Sequence, residues 1–326
     1  MFDASEIVNR RDFLKATALA SVGMIASNQR WAQAAEGAKR WPVTVRDGML
    51  RSTRESDCWA AMKDLAVDGV EVTIGSDMSC GGLYHPQSKY VLSSPDAVAA
   101  LKQELTANGM SITAFAMGNR FDVELEKEIE WMKRLVPVCT ALSVRTIRID
   151  VVPHRLKREE FLPFAIKACK EVATIAGDGN VRLGIENHGN TTNDPDFMQN
   201  LLDGVGRTNL GLTLDTGNFY WYGHPLENVY ALFEKFAPRV FHTHIKSIAY
   251  PAEKKSVRRE MGWKYDEYTC PIYEGDIDFK RVAQILRKGG YDGDLCIENE
   301  SLGRFPAEQR RGILKKELAM LRELEN

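Results

Sequence analysis

Eight short apolar runs punctuate the chain, and the segments between them space their apolar residues as helices do. The runs are "PVTVRDGML", "GVEVTIG", "MSITAFAMG", "VRTIRIDVV", "VRLGIEN", "LGLTLDTGN", "VFHTHIKS" and "GDLCIENE". Helix punctuation falls between them. "SPDAVAALKQELTANG" opens on Ser-Pro and closes on Gly109, and "DPDFMQNLLDGVG" has an Asp cap with Pro in the first turn. Strands that are apolar almost throughout, joined by helical crossovers, make a parallel sheet covered by helices. Eight such units in roughly 290 residues predict a closed (β/α)8 barrel, which typically takes about 250. A doubly wound open sheet is the competing arrangement, but no GxGxxG or phosphate loop follows the first strand. With 326 residues and 44% hydrophobic content the chain can fill one large core, so residues 35–326 are expected to form a single barrel domain. The chief insertion, between Ser247 and Asp276, is aromatic and charged and sits where a loop would cover the barrel mouth.

Residues 1–34 read as a separate segment. Arg10 and Arg11 precede the apolar stretch "ATALASVGMIAS", and "AQAAEG" offers a small-residue cleavage site after Ala34. This resembles a twin-arginine (Tat) signal peptide. It implies export of a protein already folded, to the periplasm or another extracytoplasmic location. The stretch is too short and too rich in Ala and Ser to span a bilayer, so no stable membrane insertion is expected after processing. The six cysteines form no CxxC pair, which speaks against a thiolate metal site. A formal net charge of −2 gives no electrostatic case for nucleic-acid binding.

In such a barrel all strands point their C-terminal ends to one face, where sites are built. The last four runs end in Glu186, Asp215, His244 and Glu298. Taken singly, a strand-end Glu could be solvated or paired with an Arg, and a lone His is more often structural. Taken together on consecutive strands, three carboxylates would repel one another unless a cation neutralised them. One nitrogen and three oxygen donors suit one divalent ion, Mn²⁺ first, with Mg²⁺, Co²⁺ or Zn²⁺ as alternatives.

"GIENHG", "LTLDTGN", "HTHIKS" and "GDIDFKRVAQILRKGGYDGDLCIENE" resemble the xylose isomerase-like TIM barrel superfamily, in particular its sugar phosphate isomerase/epimerase branch. The resemblance covers essentially all of residues 35–326. It implies a divalent metal held by Glu186, Asp215, His244 and Glu298, with the His-x-Lys pattern selecting His244 over His242. It also implies that Glu186 and Glu298 are the catalytic pair, moving protons on opposite faces of a sugar. Two positions depart from the pattern: Asn218 stands where a His is frequent, and Ser247 where an Asp is common. The missing His, with the balanced charge, argues against the DNA-cleaving relatives. His188, Lys246, Asn218 and Arg148 are candidate substrate-binding residues, with Asp150 a partner for Arg148. Trp221, Tyr222 and the segment from Trp263 to Tyr268 are candidates to stack on a sugar face, against a plain packing role.

The expected activity is that of a metal-dependent sugar isomerase or epimerase, abstracting a proton beside a polarised carbonyl. A lyase or dehydratase acting on a keto-sugar or 3-keto-glycoside shares that first step. A carbohydrate-binding protein without catalysis is the third reading, disfavoured by the complete ligand set. The expected partner is a small sugar or keto-sugar, and a homo-oligomer stays open.

Overall fold

The computed structural model describes residues 40–324. The twin-arginine segment lies outside the described residues. Eight parallel strands close into a barrel, and helices fill the crossovers. The barrel strands are β1 (Val43–Arg46), β2 (Gly69–Ile74), β3 (Ser111–Met117), β4 (Thr146–Ile149), β5 (Arg182–Glu186), β6 (Leu210–Asp215), β7 (Val240–Ile245) and β10 (Leu295–Ile297). The last of these pairs with both β7 and β1, which closes the ring. A two-stranded antiparallel hairpin, β8 (Ser247–Ile248) and β9 (Thr269–Cys270), begins and ends the insertion after β7.

The crossover helices are α1 (Cys58–Leu65), α2 (Pro95–Asn108), α3 (Phe121–Leu142), α4 (Arg158–Asp178), α5 (Pro195–Val205), α6 (Leu226–Phe236) and α7 (Phe279–Lys288), and α8 (Ala307–Glu323) closes the chain. Their ends follow the sequence signals. The Ser94 hydroxyl accepts from Ala97 N at the start of α2, and Gly109 ends that helix at φ 65°. Asp194 caps α5 and Asp278 caps α7 in the same way. The first run is shorter than its pattern predicts. β1 stops at Arg46 because Asp47 turns the chain into a single helical turn, Asp47–Leu50, while its buried carboxylate accepts from Thr73 N (2.8 Å).

Alternate residues of a barrel strand face the helices and the lumen in turn. Val43, Val45, Val70, Val72, Leu183 and Ile185 belong to the apolar core. Their neighbours along the strands are polar and bond across the interior. Thr44 Oγ1 donates to Asp294 Oδ2 (2.6 Å), His242 Nδ1 lies 2.5 Å from Asp294 Oδ1, and His244 Nε2 lies 2.8 Å from Glu71 Oε2. The barrel lumen is thus a polar plug inside an apolar annulus, and the annulus supplies the hydrophobic stabilisation.

The insertion is tied down by a buried cation. The Arg259 guanidinium donates to the carbonyls of Tyr220 (2.7 Å), His224 (3.0 Å) and Lys254 (2.6 Å), and lies over the rings of Tyr220 and Tyr250. Tyr250, Trp263 and Tyr268 pack on one another beside it. Among the described residues no helix is long and apolar enough to cross a membrane.

Candidate metal centre

The strand-end residues converge. Glu186 closes β5, Asp215 closes β6, His244 is the penultimate residue of β7, and Glu298 directly follows β10. All four are buried, and one donor atom of each lies within 4.8 Å of the others. His244 Nδ1 stands 3.4 Å from Glu186 Oε2 and 3.3 Å from Glu298 Oε2. Ligand atoms sharing one six-coordinate ion sit about 3 Å apart, given bond lengths of about 2.1 Å at right angles. Three donor atoms here, Asp215 Oδ2, His244 Nδ1 and Glu298 Oε2, are buried without a well-formed hydrogen bond. Orphaned buried polar atoms are costly and need an explanation. A divalent cation at their centre would satisfy all three, so the residues fit such an ion.

The surroundings hold each ligand in place. Asp215 Oδ1 accepts from Gly217 N and Asn218 N, both at 2.8 Å, which leaves Oδ2 turned to the centre. Asn218 Nδ2 donates to Glu186 Oε1 (3.1 Å). Arg148 Nε donates to Glu186 Oε2 (2.6 Å) while Nη1 and Nη2 grip Asp150 at 2.6 and 3.1 Å. Lys246 Nζ lies 3.0 Å from Asp215 Oδ2, 3.5 Å from Glu298 Oε2 and 2.8 Å from Glu300 Oε1. Its stem crosses Gly217, where a Cβ would meet Lys246 Cγ at 2.7 Å. Arg46 Nη1 bonds Glu298, and its Nε lies 3.3 Å from Glu71 Oε2.

The charges push on one another. Burial would raise the Glu186 carboxyl, but Arg148 and His244 outweigh it and hold it below the ordinary range. Glu298 is lowered as well, with His244 and Lys246 overcoming burial. Asp215 goes the other way: burial raises it, the charges of Glu298 and Glu186 add to the rise, and Lys246 opposes. Burial would lower His244, yet Glu71, Glu298 and Glu186 hold a proton on it. An ion held by these four residues would have to take the place of that proton and would offset the carboxylate repulsion.

The other sequence candidates fall into two groups. Asn218, Lys246 and Arg148 are all buried and bonded to candidate ligands, so they shape the centre directly. His188 alone is well exposed, its Nδ1 3.0 Å from Asp150 Oδ1. Tyr222 stacks against His224 and Arg258, and Trp263 lies on Tyr268, so both rings serve local packing. His242 turns away from the centre toward Asp294. Sequence reasoning missed Glu71 and Arg46. Glu71 is a lone charge inside an apolar run, much like the signal that marks Glu186, whereas Arg46 sits beside Asp47 in the middle of "PVTVRDGML".

Ile-Glu-Asn stands at the end of both "VRLGIEN" and "GDLCIEN", and its two asparagines hold different partners. Asn187 clamps the end of β6, its Oδ1 accepting from Asp215 N (2.8 Å) and its Nδ2 donating to Asp215 O (2.9 Å). Asn299 caps the following turn through Ser301 N and donates to Glu317 Oε1 on α8 (2.8 Å). Glu317 Oε1 also accepts from Ile272 N of the insertion (2.9 Å). Burial pushes the Glu317 carboxyl up to about 7 from 4.5. A carboxyl raised on folding stabilises the fold fully below pH 4.5, and this contribution is lost as pH climbs through 7. Glu317→Gln keeps the acceptor and removes the titration. Chemical denaturation at pH 4.5 and pH 8 should show the variant gaining on the wild type by on the order of 3 kcal/mol at the higher pH. Parallel stability curves would refute the assignment.

A family model described as xylose isomerase-like TIM barrel matches residues 59–324. An uncharacterised protein of Methanocaldococcus jannaschii is 28% identical over 168 residues, 50% of this chain and 52% of that protein. An inosose dehydratase of Clostridium tetani is 27% identical over 139 residues, 41% of this chain and 45% of its own. The matched region thus spans about half the length of these relatives. An inosose dehydratase of Erwinia tasmaniensis is 24% identical over 259 residues, 73% of this chain and 85% of the relative. Among solved structures, a xylose isomerase-like TIM barrel protein of Mycobacterium smegmatis in complex with magnesium superposes with a TM-score of 0.65 at 16% identity, covering 88% of this chain and 98% of the other. The IolI protein with a bound zinc atom gives 0.64 at 17%, covering 87% and 99%. An L-ribulose 3-epimerase gives 0.59 at 15%, covering 87% and 96%. At these identities the structural likeness is one of fold.

Proposed function

The chain belongs to the xylose isomerase-like TIM barrel family, and from that premise we propose that it is a divalent-metal-dependent isomerase or epimerase of an uncharged keto-sugar or keto-polyol. The observation that carries this reading is the placing of two carboxylates about one centre. Glu186 and Glu298 come from strands separated by β6 and β7, and His244 Nδ1 lies almost equally far from both. An ion held by Glu186, Asp215, His244 and Glu298 would supply Lewis acidity, which acidifies a C–H bond beside a carbonyl. Glu186 or Glu298 then takes that proton, and the other returns a proton from its own side with inverted configuration. Arg148 and Arg46 keep the two carboxylates ionised and aimed. The buried strand ends limit water access to the proton in transit.

The charge inventory favours an uncharged substrate. Six carboxylates (Glu71, Asp150, Glu186, Asp215, Glu298 and Glu300) surround three cations (Arg46, Arg148 and Lys246). Each cation is already bonded to two or more carboxylates, so none is set aside for a phosphate or carboxylate group on the substrate. This agrees with reading residues 1–34 as a leader for export, since phosphorylated intermediates are scarce outside the cytoplasm.

Dehydration is the second reading, and similarity to inosose dehydratases favours it. It begins with the same proton abstraction and ends with loss of a β-hydroxyl. NMR of Mg²⁺-loaded protein in D₂O, with ketoses, inososes and 3-keto-glycosides beside phosphorylated counterparts, separates the outcomes. Deuterium at an inverted carbon supports epimerisation, and loss of water supports dehydration. Absence of metal-dependent exchange across the panel would sink both, and turnover confined to phosphorylated sugars would sink the charge argument.

A further inference from the structure

The lumen below the candidate metal centre carries a second line of titratable groups that, beyond the candidate ligand His244, the proposed reaction does not use. It runs from His244 through Glu71 and His242 to Asp294, and every member is buried. His244 Nε2 lies 2.8 Å from Glu71 Oε2. Glu71 Oε2 also receives Arg46 Nε at 3.3 Å and faces His242 Nε2 at 3.6 Å. Behind it, Asp294 Oδ1 sits 2.5 Å from His242 Nδ1, and Asp294 Oδ2 accepts from Thr44 Oγ1 (2.6 Å). Glu71 comes from β2 and reaches across the lumen to β7, so it enters the site from a strand that supplies none of the four candidate ligands.

From this geometry we infer that Glu71 is a positioning residue for the metal, fixing His244 with its proton on Nε2 and its Nδ1 lone pair turned to Glu186, Asp215 and Glu298. The inference rests on the metal reading above. An imidazole has two nitrogens, and the hydrogen bond at one decides which is left to bind a metal. Here one nitrogen faces a carboxylate at hydrogen-bond distance, and the other is the orphaned atom at the centre. A carboxylate rather than a neutral acceptor makes the ring a better donor to a cation. Arg46 and the His242–Asp294 pair flank Glu71 from either side, which keeps its charge from being stranded in the lumen. Glu71 touches no substrate in this account; it acts through His244.

Two measurements test it. The first uses the wild-type protein loaded with Zn²⁺ and long-range ¹H–¹⁵N spectra of the histidine rings. The expected signature is a protonated Nε2 and a metal-bound Nδ1 on His244. A proton on Nδ1, or metal at Nε2, overturns the inference. The second is Zn²⁺ affinity by chelator competition in Glu71→Gln, which retains an acceptor and so should fold. Its Kd should rise at least about tenfold, the usual effect of losing such a partner. An unchanged Kd in the folded variant overturns the inference while leaving the metal reading intact. Failure of the wild type to bind Zn²⁺ at all would remove both.

Discussion

Glu186→Gln and Glu298→Gln should each lower kcat by two to four orders of magnitude, the range that a positioned acid–base group contributes. The substitutions keep shape and remove the negative charge. In Glu186→Gln, Arg148 retains Asp150 as a partner, and in Glu298→Gln, Arg46 retains Glu71. The fold should therefore survive both, which melting curves check. Because each side chain is also a candidate ligand, metal content must be measured alongside rate. If both variants keep their ion and lose turnover, proton transfer is the step affected. An epimerase adds a sharper signature. When one base per face acts, removing one leaves the other able to exchange its own substrate proton with solvent. Each variant should then wash deuterium into only one of the two epimers without interconverting them. Near-wild-type turnover in either variant would take that residue out of the mechanism.

His244→Ala should abolish stable metal binding. Purified wild-type protein is expected to carry about one divalent ion per chain by elemental analysis, and the variant close to none. His244 is the single nitrogen of the set and lies near two of its carboxylates. Without it, Glu186, Asp215 and Glu298 remain as three repelling carboxylates balanced only by Arg148, Lys246 and Arg46. Unchanged occupancy in this variant would defeat the ligand assignment and return His244 to a structural role.

The barrel was legible because its signals are local. Apolar runs recur eight times, four of the eight helices open on an Asp or Ser cap and four close on a glycine, and each signal can be read within a dozen residues. The rule that functional groups gather at strand ends also picks out Glu186, Asp215, His244 and Glu298, which the closed barrel brings together. It stopped short at the first two strands. Arg46 reads as the middle of the longer run "PVTVRDGML", and its terminal position emerges only from the turn that Asp47 makes. Glu71 lies inside "GVEVTIG", where one charge looks like an interruption of an apolar strand. Its significance depends on His244, 173 residues later, and on a lumen that only barrel closure creates. That Asn218, Lys246 and Arg148 are buried against the candidate ligands is likewise a non-local fact. Asn187 and Asn299 share a motif and differ in partner, which a repeated tripeptide cannot reveal.

The three cations set among the candidate ligands bear on how an ion would enter the site. Many small metal sites are assembled by the metal itself, and removing the ion unfolds them. Here Arg46, Arg148 and Lys246 already offset much of the carboxylate charge, so the cage stands as a finished vessel. Filling it would then be separable from folding, and chelator-treated protein should keep a cooperative melting transition. Oxygen and nitrogen donors rank the first-row divalent ions mainly by their intrinsic order, with geometry and availability deciding the occupant. The identity of the ion would then follow from which divalent ions the folded chain meets.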